Sequence, residues 1–220
     1  MRDPVNFDTW AQSLVSQRGI FVTGTDTGVG KTYVGTRLIR KLKALGLALA
    51  PRKPVESGWP VDHTQTDAWQ LLQAAQLPDS ALNQVCPYRF KAALAPDRAA
   101  RLEGQTLTLQ HLYAAALHQV QDQWLYVEGA GGVYSPIAEQ GLNADLAQLL
   151  NLPVVLVTED KLGCINQVLM AVEVLQRRGL IVVGVILNRI HPQSTEMDNA
   201  ADLQQWLDVP MVCFPAVDSR

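Results

Sequence analysis

The sequence predicts an α/β fold, a single domain built on a mostly parallel β-sheet with helices on both faces. Three observations lead there. Short apolar runs alternate with longer stretches of helical periodicity, the pattern of strand, crossover helix and parallel strand. The first of these runs, GIFVTG, passes through a glycine-bearing loop straight into a helix. The chain has 220 residues, 48% of them hydrophobic and 18% charged, which suits a soluble domain able to bury one continuous core.

Each element follows from its local pattern. Residues 1–18 precede the first strand and are expected to form an N-terminal extension, in which Phe7, Trp10, Leu14 and Val15 mark an amphipathic helix used for packing. Residues 19–220 are the domain proper. After GIFVTG, a helix is predicted from about Lys31 to Leu45, because Val34, Leu38, Leu42 and Leu45 make one apolar stripe while Arg37, Arg40, Lys41 and Lys43 lie largely elsewhere. Gly46 is placed to end it, since glycine accepts the left-handed conformation of a helix terminus. LALAPRKPV supplies the next strand. From about Glu56 to Leu107 the pattern is irregular, with Pro60, Pro78, Pro87 and Pro96 around one expected helix, Asp67 to Gln76. Long connections of this kind on α/β scaffolds carry ligand contacts. A helix around Leu109 to Val120 leads into WLYVEG, and LPVVLVT, LIVVGVILN and VPMVCFP complete the strands.

Composition excludes several function classes. A formal net charge of -3 gives no general attraction for nucleic acid or an anionic membrane. No stretch reaches about 18 uninterrupted apolar residues, and the leading residues lack a signal-peptide apolar run. Cys86, Cys164 and Cys213 are far apart and odd in number, so neither a disulfide framework nor a clustered zinc site is expected, and the cytoplasm is the expected compartment. His63, His111, His118 and His191 fit no spaced ligand set and read as surface or structural.

Chemistry concentrates in TDTGVGKT, between the first strand and the first long helix. Strand, loop and helix in this order make a phosphate-binding loop, in which backbone amides converge on phosphate oxygens where a bulky side chain would block the approach. The nucleotide-contacting stretch runs through Thr27, Gly28, Val29, Gly30, Lys31, Thr32 and Tyr33. Lys31 is expected to reach the β- and γ-phosphates, and Thr32 to offer its hydroxyl to Mg2+. The consensus GxxxxGK[ST] is not strictly met: the residue five before Gly30 is Thr25, and Gly24 comes one earlier. The bland alternative is a glycine-rich turn with an incidental lysine.

GTDTGVGKT, KPVESG (Lys53 to Gly58), VEGAGG (Val127 to Gly132) and KLGCIN (Lys161 to Asn166) occur in this order, and together they resemble the dethiobiotin synthetase family from about Gly19 to Pro215. The resemblance implies a phosphate-loop NTPase-like fold and an ATP-dependent reaction. In that reaction 7,8-diaminopelargonate and carbon dioxide close a cyclic urea with release of ADP and phosphate. It implies that the ammonium of Lys53 lies between the substrate carbamate and the transferring phosphate. There it stays charged rather than abstracting protons. Lys53 and Lys31 are the expected catalytic residues. Thr32, Glu128 and Asp67 are the expected Mg2+ ligands, all hard oxygens; Asp67 also reads as a helix N-terminal acid or cap.

By the same resemblance, Gly129, Ala130 and Gly131 approach substrate or phosphate, and Ser57 contacts substrate. Gly163, Cys164 and Asn166 serve the substrate tail across a homodimer interface. Asn188, Arg189, Phe214 and Pro215 lie on the adenine side. For the glycine run and for Asn188, Phe214 and Pro215, plain turns remain open as alternatives; Cys164 reads as a packed residue, not a nucleophile. Two positions depart from the family pattern. Glu56 stands where the family has a small or neutral residue and is expected to point to solvent, and Asp97 stands where it has histidine. Competing readings are a cobyrinate-amidating type of synthetase, a partitioning ATPase that switches partners, and a paralogue that binds nucleotide without turnover. A partitioning ATPase usually carries an early loop lysine where this chain has Thr25 and Asp26.

Overall fold

Apolar runs that alternate in side-chain direction can be buried on both faces only if helices cover both, and the computed structural model, which describes residues 4–191, 194 and 196–214, has this arrangement. The main sheet contains β1 (Gly19–Gly24), β2 (Leu49–Arg52), β5 (Trp124–Gly132), β8 (Val154–Glu159), β9 (Val182–Asn188) and β10 (Met211–Phe214). Its order is β10-β9-β8-β1-β5-β2, and every pairing in it is parallel. Two short pairs lie outside it: β3 (Val55–Ser57) with β4 (Tyr88–Phe90), and β6 (Pro136–Ala138) with β7 (Gly141–Leu142).

One face buries Ile20, Val22, Tyr126, Val155, Val157 and Ile186 beneath α1 (Phe7–Ser13), α2 (Lys31–Ala44) and α3 (Asp67–Ala74). The other buries the alternating partners Phe21, Leu125, Val127, Val154, Leu156 and Val185. Over that second face lie α5 (Pro96–Leu102), α6 (Leu109–Leu117), α7 (Asn143–Leu150), α8 (Cys164–Arg177) and α9 (Asn199–Gln204); α4 (Leu82–Val85) belongs to a satellite cluster with α3.

The expected stripe of α2 is present, with Val34, Leu38 and Leu42 buried and Leu45 packed against the same cluster. Gly46 follows at φ 90°. Two predicted helices are shorter than expected. The α3 helix stops at Ala74 because Gln76 has φ 56°, and α6 stops at Leu117 because Gln119 has φ 53°; a left-handed residue cannot continue a right-handed helix. The irregular stretch holds more structure than its pattern suggests, including α4, α5 and the β3–β4 pair. In α1, Asn6 caps the first turn, Trp10 is 2% exposed and donates its indole N–H to the Val183 carbonyl (2.9 Å), and the Val5 amide donates to the Met211 carbonyl (2.8 Å).

Among the described residues, no helix is long and apolar enough to cross a membrane.

Candidate active site

The chain leaves β1 toward α2 and β2 on one side, while β8 flanks β1 on the other. That divergence opens a crevice at the carboxyl ends of the strands, where open α/β sheets bind ligands. A cleft of about 650 Å³ lies there, lined by Thr27, Gly28, Gly30, Lys31, Thr32 and Tyr33 from the loop. Lys53, Glu56, Ser57, Asp67, Ala130 and Gly131 line it from the other segments.

Gly30 caps the start of α2 at φ 85°, and a Cβ there would also collide with the Asn188 amide, so no other residue fits without strain. Asn188 donates from Nδ2 to the Val29 carbonyl (3.0 Å), tying the end of β9 to the loop. Lys31 folds over the loop and donates to the Asp26 carbonyl (3.0 Å). Burial, and then the charge of Lys53, hold its pKa below the ordinary lysine value against the pull of Glu128, Asp67 and Asp26.

At the centre stands Lys53, 3% exposed, at the end of β2. Its ammonium donates to Asp67 Oδ2 (2.6 Å) and to Glu128 Oε1 (2.7 Å). Burial by itself would lower its pKa, but the carboxylates of Asp67, Glu128 and Glu56 outweigh burial and raise it. Lys53 is a fixed cation. Burial would likewise raise the Asp67 pKa, and the charge and hydrogen bond of Lys53 bring it below the ordinary value. The Thr32 hydroxyl donates to Glu128 Oε1 (2.7 Å) and the Tyr126 hydroxyl to Oε2 (3.0 Å), so both oxygens of the buried Glu128 carboxylate accept hydrogen bonds. Burial and the Glu128 charge push the Tyr126 pKa well up, which keeps it a donor.

Tyr126 and Glu128 share one face of β5, two residues apart, and this period-two spacing is the signal that could have identified the tyrosine. Tyr126 reaches Glu128 because position 35 in α2 is glycine: a Cβ there would collide with the phenol oxygen.

Other sequence-predicted residues are distributed around this centre. Gly129, Ala130 and Gly131 form the end of β5, held by Asn143, whose Nδ2 donates to the Ala130 and Gly132 carbonyls (2.7 Å each) and whose Oδ1 accepts from the Ala130 amide (3.2 Å). Asn143 was not picked out by sequence reasoning. Ser57 donates its hydroxyl to the Leu94 carbonyl (2.6 Å) at the cleft wall. Asp67 is the first residue of α3 and Thr66 its cap, with Oγ1 accepting from the Trp69 amide (3.2 Å). Phe214 meets Tyr33 edge to face at 5.8 Å, and the Arg37 guanidinium lies 3.3 Å over the Tyr33 ring. Arg189 pairs with Asp160 (3.1 Å). Pro215 lies outside the described residues.

Gly163, Cys164 and Asn166 sit at the start of α8 and do not line the cleft. Cys164 is buried in the core, where burial raises its thiol pKa. Glu56 corrects an expectation. It does not point to solvent; its carboxylate accepts the amides of Asp67 (2.9 Å) and Ala68 (3.0 Å). Asp97 pairs with Arg101 within α5 at 2.5 Å. Among the described residues, no group of three His, Cys, Asp or Glu gathers as a metal cluster.

A phosphate loop at the switch point of a parallel sheet, with a lysine held between two acids beside it, defines a nucleotide-dependent phosphoryl-transfer enzyme. A family model described as an AAA domain matches residues 18–215. The chain is 45% identical over 177 residues to the ATP-dependent dethiobiotin synthetase BioD of Anaeromyxobacter dehalogenans (strain 2CP-1), covering 80% of this chain and 78% of that one. It is 36% identical over 206 residues to the protein of the same name from Vesicomyosocius okutanii, covering 92% of each. A solved nucleotide-binding protein in complex with ADP from Archaeoglobus fulgidus shares the fold at TM-score 0.50 and 13% identity, over 98% of this chain and 88% of that one. The chain belongs to the ATP-dependent dethiobiotin synthetase family, ligases of biotin biosynthesis.

Proposed function

We propose that this cleft joins 7,8-diaminopelargonate and carbon dioxide into the cyclic urea of dethiobiotin, with ATP converted to ADP and phosphate. One substrate amine takes up carbon dioxide as a carbamate and releases a proton. A carbamate oxygen attacks the γ-phosphorus and ADP leaves. The second amine then attacks the carbamate carbon, expelling phosphate and closing the ring. Negative charge gathers at one place in each step, so the protein's work is to hold the anions together and neutralise them.

The observation that carries this reading is that Lys31 and Lys53 line the same cleft, with Lys53 fixed as a cation between Asp67 and Glu128. In this reading Lys53 faces the carbamate and the transferring phosphoryl group, and Lys31 turns from the Asp26 carbonyl to the β- and γ-phosphates. Thr32, Asp67 and Glu128 suit Mg2+: they are hard oxygen donors, and they lie around the Lys53 ammonium, which bonds both carboxylates, with the Thr32 hydroxyl on Glu128 as well. Mg2+ held by these oxygens beside Lys53 would neutralise phosphate charge. The adenine side comprises Asn188, Arg189 and Phe214, with Tyr33 beside them. Ser57 contacts the diamine, and Gly163, Cys164 and Asn166 receive its carboxylate tail across a homodimer interface; their position away from this chain's own cleft agrees with service to a second site.

The test is ADP release by the purified protein with ATP and Mg2+, adding the diamine and bicarbonate singly and together. Strict dependence on both is the expected result. ADP release indifferent to either, or nucleotide binding with no turnover under any combination, refutes the assignment.

A further inference from the structure

We propose that Glu56 is a positioning residue of this site, acting through the start of α3 to hold Asp67 in place. The inference rests on the reading above, in which Asp67 meets Mg2+. Both oxygens of Glu56 are committed to backbone donors, Oε1 to the Asp67 amide (2.9 Å) and Oε2 to the Ala68 amide (3.0 Å). The first amides of a helix have no partner within it, and a side chain just before the helix normally satisfies one of them. In α3 Thr66 already does so, with its hydroxyl oxygen accepting from Trp69. Glu56 comes from a different strand, β3, so its contacts tether the helix to the segment that carries the catalytic lysine.

The geometry closes on itself. Lys53 and Glu56 are three residues apart on one short segment. Lys53 holds the tip of the Asp67 side chain (2.6 Å), and Glu56 holds the Asp67 backbone (2.9 Å). The Asp67 carboxylate is thus restrained from both ends. An acid that serves a cation must be oriented by its neighbours, and loss of such an orienting contact costs about 10- to 100-fold in metal affinity. The rival role for Glu56, which also lines the cleft, is direct contact with a substrate amine. Engagement of both carboxylate oxygens by amides argues against it.

The test compares Glu56→Ala, Glu56→Gln and Thr66→Ala with the unaltered protein. Binding of a nonhydrolysable ATP analogue is measured calorimetrically with and without Mg2+, and steady-state kinetics are measured alongside. In both Glu56 variants the gain in analogue affinity conferred by Mg2+ is expected to fall about 10-fold or more, with KM for the diamine within about twofold of normal. Thr66→Ala, which removes a cap from the same helix, is expected to lower stability and leave the Mg2+ dependence unchanged. Unchanged Mg2+ dependence in the Glu56 variants overturns the proposal. So does a rise in diamine KM in its place, an equal shift in Thr66→Ala, or an unaltered protein whose analogue affinity ignores Mg2+. Should Glu56→Ala not fold, Glu56→Gln, which keeps the side-chain volume, decides alone. The analogue titration needs no turnover, so an unaltered protein that makes no product refutes the function and leaves this measurement standing.

Discussion

Replacing Lys53 by methionine removes the cation at the centre of the site while keeping most of its volume. The ammonium is 2.6 Å from Asp67 and 2.7 Å from Glu128, and the side-chain exposures of Lys53 and Glu128 are 4% and 0%. Loss of one partner of a buried pair costs about 3–5 kcal/mol, because the other charge stays buried and unmatched. Two features argue for the low end. Asp67 is 41% exposed, so water screens its share, and Glu128 keeps hydrogen bonds from Thr32 and Tyr126. About 3 kcal/mol in a chain of this size corresponds to a fall in Tm of about 6–12 °C. Activity should fall more steeply, by about 10²-fold or more, the scale seen when a donor to developing negative charge is lost. Adding Glu128→Gln removes the stranded charge and should recover at least about half of the Tm loss without recovering activity. Calorimetry and an ADP-release assay read both quantities. A Lys53→Met protein with unchanged Tm, or one that retains most of its activity, would refute the reasoning.

Three further outcomes follow from the same geometry. Lys31→Ala should weaken ATP binding about tenfold or more, measured by calorimetry, with little change in Tm, because among the described residues the Lys31 ammonium is hydrogen-bonded only to the nearby Asp26 carbonyl. Gly35→Ala should cost about 1–3 kcal/mol in urea unfolding, since the new Cβ meets the Tyr126 hydroxyl and, less closely, its ring; Tyr126→Phe should relieve it only in part. The Lys53–Asp67 pair should contribute stability over a wide pH window. Asp67 has a lowered pKa, so its contribution is present above about pH 4 and is lost as pH falls through its folded value. Lys53 has a raised pKa, so its contribution is present up to about pH 10 and is lost only as pH rises through its folded value. The stability difference between the unaltered protein and Asp67→Asn should therefore stay constant from about pH 5 to 8 and shrink below about pH 4.

The six strands of the main sheet were legible because parallel strands buried on both faces are continuous apolar runs, and each predicted run contains one of them, although LALAPRKPV also reaches into the separate β3. The α2 helix was legible from its stripe. The α5 helix was not, because it opens on Pro96, which reads as a breaker although proline suits the first turn of a helix. In the site, Lys31 and Thr32 were readable from the strand-loop-helix spacing, and Glu128 from the resemblance and its place in the WLYVEG run. Asn143 and the contacts of Glu56 were not, since they reach backbone 11 to 13 residues away and depend on how loops fold back. Asn188 shows the same limit: its position at the end of β9 was clear, but its bond to the Val29 carbonyl was not.

The leading segment has a consequence for anyone seeking a minimal version of this enzyme. A terminal β-strand offers unpaired backbone groups that invite pairing with another molecule. Here Val5 occupies one such group on β10, and Phe7 stacks edge-on against Phe214 of the same strand at 4.8 Å. Trimming the chain to begin at the first strand would uncover that border together with the seat of Trp10, giving a protein prone to self-association and short of its full stability.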